Sequence, residues 1–196
     1  GCPAPLLAAR SVEHSGSDLH VHFSVLDEAG NNVFDDGGEK GSDVMHHAVA
    51  GLMDAMHDST LVFAPHANSY DRMVPGAHAP TAICWGYENR TSAIRIPSGS
   101  HKARRIEHRM AGGDVNPYLL LAAILGAALN GIEDGKNPVE PITGNAYALD
   151  LPRVPTDWET AIDAFDKSAQ MKRIFAPSMV RNFVLTKRQE LRYMAE

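Results

Sequence analysis

Apolar and polar residues alternate along one early stretch of the chain, residues 19–27. Leucine, valine and phenylalanine there alternate with His20 and His22. A period of two residues is typical of a strand with one buried face. The small and polar residues at 27–32 then predict a turn. The pattern therefore predicts a half-buried strand whose polar face carries two histidines.

Four segments carry apolar residues at helical spacing, and each follows a helix-start signal. Serine, asparagine and aspartate accept hydrogen bonds from the first backbone N–H groups of a helix, and proline fits its first turn. The helices are predicted to begin after Ser42, at Asn116-Pro117 (ending near residue 133), from Asp157 and after Pro177.

Three short segments lack that spacing and are predicted to be strands: residues 82–87, 92–96 and 104–110. Strands that precede most of the helices indicate an α+β fold, with an antiparallel sheet and helices packed on it. The chain has 196 residues and no repeats, which favours a single unit over residues 1–196. Residues 137–155, rich in proline and glycine, are predicted to form a long loop.

The longest apolar run, residues 118–129, is predicted to be a buried helix. It is too short to span a bilayer, which needs about 20 residues. The first residues show no signal-peptide pattern, and Cys2 and Cys84 are too few for a disulfide framework. These observations predict a cytoplasmic protein without a membrane segment.

The positive charge of the chain is concentrated in its middle. The whole sequence has a net charge of −6, but residues 59–109 carry seven arginines and lysines against three acids. A small positive region in an acidic protein is poorly suited to a nucleic acid, which binds over a broad basic face. It suits a small anion held in a pocket.

Arginines crowd the third predicted strand. Alternation places Arg105, Glu107 and Arg109 on one strand face, and pairing with the preceding segments would bring Arg90 and Arg95 beside Glu107. A guanidinium group is always charged, and its fork of donors fits phosphate and carboxylate. The cluster therefore favours a phosphorylated or carboxylated ligand.

Glu107 and His20 together would supply a carboxylate and an imidazole to a metal ion. A metal ion with arginines around phosphate meets the needs of phosphoryl transfer. The spacing leaves a second interpretation open, in which the arginines form surface ion pairs on a solvated edge strand and the histidines have no ligand.

Four motifs stand in the order in which the glutamine synthetase family has them. They are residues 16–24 (GSDLHVHFS), 68–76 (NSYDRMVPG), 89–97 (NRTSAIRIP) and 104–109 (RRIEHR), joined by the NPY sequence at 116–118. Residues 14–150 thus resemble the C-terminal part of that family's catalytic domain. The resemblance implies an ATP-dependent ligase that phosphorylates the γ-carboxylate of glutamate and lets ammonia or an amine displace the phosphate.

The resemblance also implies roles for individual residues, together with Mg²⁺ or Mn²⁺ as the metal ion and ATP as co-substrate. The implied metal ligands are His20 and Glu107, and the implied ATP contacts are His22, Ser24, Lys102 and Arg105. The implied glutamate contacts are Gly16, Arg72, Arg90 and Arg109, and the implied catalytic residues are Arg90, Arg95 and His78. Family members assemble as homo-oligomeric double rings, so a homo-oligomer is expected for a full-length parent.

Several departures from the family pattern bear on these expectations. The family's other metal-binding glutamates lie upstream of the matched segment, so this chain alone is expected to be inactive. His78 stands where glutamine-forming members have a glutamate over the ammonium site, which favours an amine, as in glutamylpolyamine synthetases; the alternative is that His78 only caps a loop. Asp18 replaces a usual glycine, and the connection at 97–102 is one residue shorter. Tyr147, where some members carry a modifiable tyrosine, is interpreted as an ordinary loop residue.

Two other classes of function remain open. A metal-dependent amidohydrolase would use His20 and His22 at a strand end, but a barrel of that kind needs about 250 residues. In a non-catalytic nucleotide-binding or assembly module, the same residues would bind a ligand or another subunit and would catalyse no reaction. Amide hydrolysis without ATP would favour the first, and a failure to bind ATP would favour a structural role.

Overall fold

The computed structural model of the protein describes residues 16–73 and 79–194. The strands are β1 (Asp18–Phe23), β2 (Trp85–Tyr87), β3 (Ile94–Ile96) and β4 (Ile106–Gly112). The α-helices are α1 (Asp43–Met56), α2 (Thr60–Phe63), α3 (Pro117–Asp134), α4 (Trp158–Lys167), α5 (Ala169–Ile174) and α6 (Pro177–Met194). Short 3₁₀ turns cover Ala67–Arg72, His101–Ala103 and Ala146–Ala148. The α+β class predicted from the sequence is confirmed.

The predicted capping residues start their helices. The side chain of Ser42 accepts a hydrogen bond from the Met45 backbone N–H (3.2 Å), and that of Asp157 accepts one from Thr160 (2.8 Å). Such caps satisfy N–H groups that have no partner within the helix. Ser168 caps a further helix, α5, which the apolar spacing did not predict.

The four strands form one sheet in the order β1-β4-β3-β2. Strands β1 and β3 both pair antiparallel with β4, as predicted. Strands β2 and β3 pair in parallel, which differs from the antiparallel pairing predicted throughout. The connection at 88–93 is far shorter than a usual parallel crossover. It suffices because each of these strands has only three residues.

The two faces of β4 differ in chemistry. Ile106, His108 and Met110 are buried against the helical core. Glu107 and Arg109 lie on the opposite face, since successive side chains of a strand point to opposite sides. The sheet thus separates the apolar core from a polar face.

Helices α1 and α3 pack on each other in the core at very short range. Gly51 of α1 and Gly131 of α3 stand at the crossing, where a Cβ atom on Gly51 would lie 2.7 Å from the backbone nitrogen of Gly131. Only glycine allows two helix backbones to approach so closely.

The apolar run at 118–129 is buried on one side only, so the prediction of a wholly buried helix is wrong. Leu120 and Ile124 enter the core, whereas Tyr118 is 83 % exposed and Leu125 is also exposed. Leu121 and Leu129 continue that exposed stripe along α3. Within the described ranges, no helix combines the length and apolar character that a membrane span requires.

Candidate active site

The strand register brings three charged side chains side by side across the sheet. Glu107 on the inner strand β4 stands opposite His22 of β1 and Arg95 of β3. Directly opposite residues in neighbouring strands have Cβ atoms about 4.5–5.5 Å apart. The register therefore brings Arg95 beside Glu107 as predicted, whereas Arg90 lies in the loop between β2 and β3.

Glu107 is the centre of this cluster. Its Oε2 atom accepts a hydrogen bond from Nη1 of Arg95 (2.9 Å), and its Oε1 atom accepts one from Nη1 of Arg109 (2.7 Å). Burial raises the pKa of Glu107, but the hydrogen bond from Arg95 and the charge of Arg109 outweigh it, and the pKa lies below its usual range. The carboxylate is therefore ionised and bridges two guanidinium groups.

The two histidines of β1 converge on the same carboxylate. His20 Nδ1 lies 3.3 Å and His22 Nε2 lies 3.5 Å from Glu107 Oε1. The Nε–H of Arg105 donates to His22 Nδ1 (3.3 Å), which leaves the proton of His22 on Nε2, facing Glu107. Burial lowers the pKa of His20, and the nearby charge of Arg109 lowers it further. A neutral His20 can donate a lone pair to a ligand.

Arg95 is held between two carboxylates. Besides Glu107, it bonds Glu88, whose Oε2 atom accepts from Arg95 Nη2 (3.1 Å). Oε1 of Glu88 accepts from the backbone N–H of Ser98. Glu88 has a φ of 53°, a left-handed conformation that is costly for a residue with a Cβ atom. The loop after β2 is thus shaped so that Glu88 reaches Arg95, a role that sequence reasoning missed.

Arg72 and Asp18 form a second ion pair on this side of the sheet. Arg72 Nη1 donates to Asp18 Oδ1 (2.9 Å), and Arg72 Nη2 donates to the backbone carbonyl of Met110. Burial lowers the pKa of Arg72, and the charges of Asp18 and Asp114 oppose that effect. The sequence singled out both residues but did not predict that they contact each other.

Among the described residues, the other predicted ones form no hydrogen bond or ion pair with Glu107. Arg90 is exposed in the loop between β2 and β3, Ser24 is exposed just after β1, and Lys102 is exposed in the 3₁₀ turn before β4. Gly16 precedes β1 and is partly buried. His78 lies outside the described residues. The structure therefore assembles His20, His22, Arg95, Arg105, Glu107 and Arg109, and places Arg72 on Asp18.

A cleft of about 460 Å³ lies beside this cluster, with Tyr87, Glu88, Ser98, His101 and Arg104 among its lining residues. The residues that the resemblance assigns to ATP do not line it. The cleft touches the charged cluster through Glu88 alone.

The donor set for a metal ion is incomplete in the described part of the chain. His20 and Glu107 offer one imidazole and one carboxylate, and the carboxylate already bridges two arginines. No group of three or more histidine, cysteine, aspartate or glutamate side chains that could hold a metal ion occurs among the described residues. These residues fit part of a metal site, not a whole one.

The chain thus combines an α+β fold with a strand-borne cluster of arginines, histidines and a buried glutamate. A sequence model of the glutamine synthetase catalytic domain matches residues 1–196. The chain therefore belongs to the glutamine synthetase family, in its catalytic domain. The family generally uses ATP and a divalent metal ion.

Similar proteins include several ligases. The gamma-glutamylethanolamide synthetase of Streptomyces coelicolor is 42% identical over 183 residues, which are 93% of this chain and 39% of that protein. The gamma-glutamylputrescine synthetase of Escherichia coli is 34% identical over 188 residues, 96% of this chain and 40% of that protein. The glutamine synthetase of Sulfolobus acidocaldarius is 31% identical over 195 residues, 92% of this chain and 41% of that protein.

Two solved structures of GmaS have the same fold. The structure without ligand superposes with a TM-score of 0.85 at 30% identity, over 97% of this chain and 45% of that one. The ADP complex gives a TM-score of 0.86 at 30% identity, over 97% of this chain and 46% of that one. The chain thus spans about two fifths of the length of the curated relatives it matches.

Proposed function

We propose that the protein is a glutamate–amine ligase that consumes ATP, and that this chain supplies the anion-binding part of its active site. Glutamate and ATP are the proposed substrates, together with ammonia or a primary amine. The observation that carries the proposal is the bridge from Arg95 through Glu107 to Arg109, at 2.9 Å and 2.7 Å. All three residues lie in the motifs at 89–97 and 104–109 that resemble the glutamine synthetase family.

The reaction would proceed in two balanced steps. An oxygen of the glutamate γ-carboxylate attacks the terminal phosphorus of ATP, so that an O–P bond forms and ADP leaves. The amine nitrogen then attacks the γ-carbon, a C–N bond forms, and the C–O bond to phosphate breaks as the nitrogen loses a proton. Both steps place developing negative charge on oxygen, which fixed cations stabilise.

The arginines fit these steps because of how they are held. Glu107 and Glu88 hold the guanidinium of Arg95 from two sides, so that it is fixed in advance of the reaction. Arg90, exposed in the loop before β3, is the proposed second phosphate contact. A pre-positioned guanidinium stabilises a phosphoryl group without reorganising at the moment of reaction.

A divalent ion, when bound, would offset negative charge on the phosphates of ATP. His20 and Glu107 are the described residues that would contribute donors to it, and His22 with Arg105 would lie on the nucleotide side. Gly16, Arg109 and Arg72 are proposed for the glutamate side, and His78 for the side of the attacking nitrogen.

An amine is proposed as the preferred nucleophile. Relatives named for ethanolamide and putrescine products are among the most similar proteins, and the residue at 78 is a histidine. A histidine removes the carboxylate charge that attracts a free ammonium ion, which favours a nucleophile bound by other contacts.

ADP release by the full-length parent protein with ATP, Mg²⁺ and glutamate, with and without ethanolamine, putrescine or ammonia, tests the proposal. The expected result is release that requires both glutamate and a nitrogen donor, and that Arg90→Ala slows about tenfold or more. Arg181→Ala removes an exposed arginine of α6 as the matched control. Calorimetric titration with ATP and Mg²⁺ tests whether this chain alone retains the nucleotide site. Full activity in Arg90→Ala would contradict the role of Arg90, and amide hydrolysis without ATP would contradict the function.

A further inference from the structure

Within the described ranges, the side chain of Arg90 has no partner that fixes it. It is exposed in the loop between β2 and β3, and it forms no hydrogen bond or ion pair with a described residue. Arg95, the other proposed phosphate contact, is held by two carboxylates. Without such partners, Arg90 is positioned through its backbone alone. The bonds that hold residues 89–92 therefore limit the positions that this guanidinium can take.

Arg90 lies in a tight turn that its neighbours close. The Oδ1 atom of Asn89 accepts hydrogen bonds from the backbone N–H of Thr91 (3.0 Å) and from the Thr91 hydroxyl (2.6 Å). The backbone N–H of Ser92 donates to the carbonyl of Asn89 (3.3 Å). An asparagine side chain that accepts from the backbone two residues further on stabilises such a turn. Arg90 is the first of the two central residues of this turn.

The same asparagine binds a distant segment of the chain. Residues 139–146 of the long loop after α3, here called the strap, lie against the turn. The Nδ2 atom of Asn89 donates to the carbonyls of Ile142 (3.1 Å) and Gly144 (2.8 Å) in the strap. The oxygen of the Asn89 amide therefore closes the turn, while its nitrogen joins the turn to the strap.

Thr91 adds a further bond to the strap. Its hydroxyl oxygen accepts from the backbone N–H of Ala146 (2.9 Å). A hydroxyl group has one proton and two lone pairs, so Thr91 can donate to Asn89 and accept from Ala146 at the same time. The residues on both sides of Arg90 thus take part in one hydrogen-bond network with the strap.

The strap is itself fixed to strand β2, so it can serve as an anchor. The indole Nε1 of Trp85 donates to the carbonyl of Val139 (2.6 Å), and the backbone N–H of Ile142 donates to the carbonyl of Trp85 (2.8 Å). A Cβ atom on Gly86 would lie 2.6 Å from the carbonyl oxygen of Ile142. The strap therefore packs directly on the backbone of β2, at a distance that only glycine permits.

We propose that Asn89 and Thr91 are positioning residues, which tie the turn of Arg90 to the strap and so hold this arginine for the transferring phosphoryl group. The proposal rests on the function proposed above and names the residues that place its second phosphate contact. Neither side chain needs to touch the substrate. A displacement of about 1 Å in a catalytic group can lower a rate about 100-fold, so the bonds to the strap affect the rate through Arg90.

Thr91→Val tests this role, because valine keeps the shape of threonine and removes its hydroxyl. In the full-length parent protein, the kcat of glutamate-dependent ADP release is expected to fall about tenfold or more, with little change in the KM for ATP. Thr91→Ser keeps the hydroxyl and is expected to retain most of the rate. Thr143→Val, at an exposed threonine of the strap, is the matched control.

A double-mutant cycle with Arg90→Ala separates positioning from a general structural effect. If Thr91 acts through Arg90, Thr91→Val lowers the rate no further once Arg90 is alanine. A loss by the same factor in both backgrounds would overturn the proposal, and so would an unchanged rate in Thr91→Val alone. Asn89→Asp gives a second cycle if Thr91→Val does not fold, since it keeps the oxygen that closes the turn and cannot donate to the strap.

Hydrogen exchange of the Ala146 backbone N–H tests the contact without any activity measurement. In this chain, Thr91→Val should speed that exchange about tenfold or more and leave the buried amides of α3 unchanged. Unchanged exchange at Ala146 would overturn the proposal. A wild-type parent that releases no ADP with glutamate would contradict the proposed function, whereas an active parent with additive effects in the cycle would contradict this inference alone.

Discussion

Gly51 and Gly131 place the backbones of α1 and α3 in direct contact. A Cβ atom on Gly131 would lie 2.6 Å from the backbone nitrogen of Gly51, and one on Gly51 would lie 2.7 Å from that of Gly131. Real Cβ atoms do not approach backbone this closely, so neither glycine can be replaced unless the helices separate. This crossing fixes the helical layer against which the sheet packs.

Gly51→Ala is expected to destabilise the protein by about 1–3 kcal/mol, because the new methyl group overpacks the crossing. A loss of stability would be informative, because replacing glycine by alanine ordinarily stabilises a helix by about 1 kcal/mol. Urea denaturation measures the change in the free energy of unfolding. Ala122→Ser, on the exposed side of α3, is the control and is expected to stay within about 0.5 kcal/mol of wild type. A more stable Gly51→Ala variant would contradict the close packing.

Glu88→Asn is expected to lower the catalytic rate while leaving the free energy of unfolding almost unchanged. Asparagine adopts the left-handed conformation of position 88 readily, but it is too short to reach Arg95. The exposed ion pair contributes only about 0–1 kcal/mol, so the free energy of unfolding should change little. In the full-length parent protein, the rate of glutamate-dependent ADP release should fall about tenfold, because Arg95 loses one of the two groups that fix it.

Thermal unfolding and steady-state rates, measured on the same preparations, check this expectation. Glu28→Asn changes an exposed glutamate of the turn after β1 and serves as the control. A Glu88→Asn variant that unfolds far below wild type would show that the residue is structural. An unchanged rate would show that Glu107 alone holds Arg95.

Glu107→Gln is expected to destabilise the protein by about 1–3 kcal/mol, because the partly buried guanidiniums of Arg95 and Arg109 would lose their shared counter-charge while Arg95 keeps Glu88. Added inorganic phosphate should then raise the melting temperature of the variant more than that of wild type. Glu133→Gln breaks an exposed pair with Arg173 at 3.0 Å and should cost about 0–1 kcal/mol. Equal effects of phosphate on wild type and on Glu107→Gln would contradict this account.

His46 is expected to make stability depend on pH. Burial lowers its pKa below the usual 6.5, and its Nε2 atom lies 3.0 Å from the hydroxyl of Tyr87. As pH falls below about 6.5, the unfolded chain binds a proton at this residue before the folded protein does, so stability falls with pH. The contribution is complete above that pH and is lost as pH drops through the lowered pKa of the folded state.

Urea midpoints between pH 7.5 and 4.5, chosen to cross about 6.5, measure this slope. His46→Gln should flatten the decline relative to wild type. Tyr87→Phe removes the hydrogen bond but keeps the partly buried imidazole, so its slope should remain. A slope that is the same in wild type and His46→Gln would show that other groups account for the dependence.

Local interactions explain what the sequence could predict. The caps at Ser42, Asn116 and Asp157 act within four residues, and the alternation around His20 and Glu107 needs only the period of a strand. The sequence therefore predicts these features correctly without any knowledge of the tertiary structure.

Long-range placement explains what the sequence could not predict. Arg95 and Arg90 are five residues apart, but only Arg95 stands in register with Glu107. Glu88 reaches Arg95 because its backbone is left-handed, a conformation that a glutamate in the sequence does not predict. The contact between Asp18 and Arg72 joins residues 54 positions apart in the sequence. The sequence likewise could not predict which side of α3 is exposed, because its residues are apolar on every side.

The position of β1 at the edge of the sheet has a consequence for the motions of the site. Among the described strands β1 pairs with β4 alone, so ladder hydrogen bonds hold it on one side. Local opening of a protein starts where few bonds must break. Hydrogen exchange should therefore be faster in β1 than in β4, and each opening would carry His20 and His22 away from Glu107 together. The lifetime of the assembled cluster is then set by the fraying of one six-residue strand.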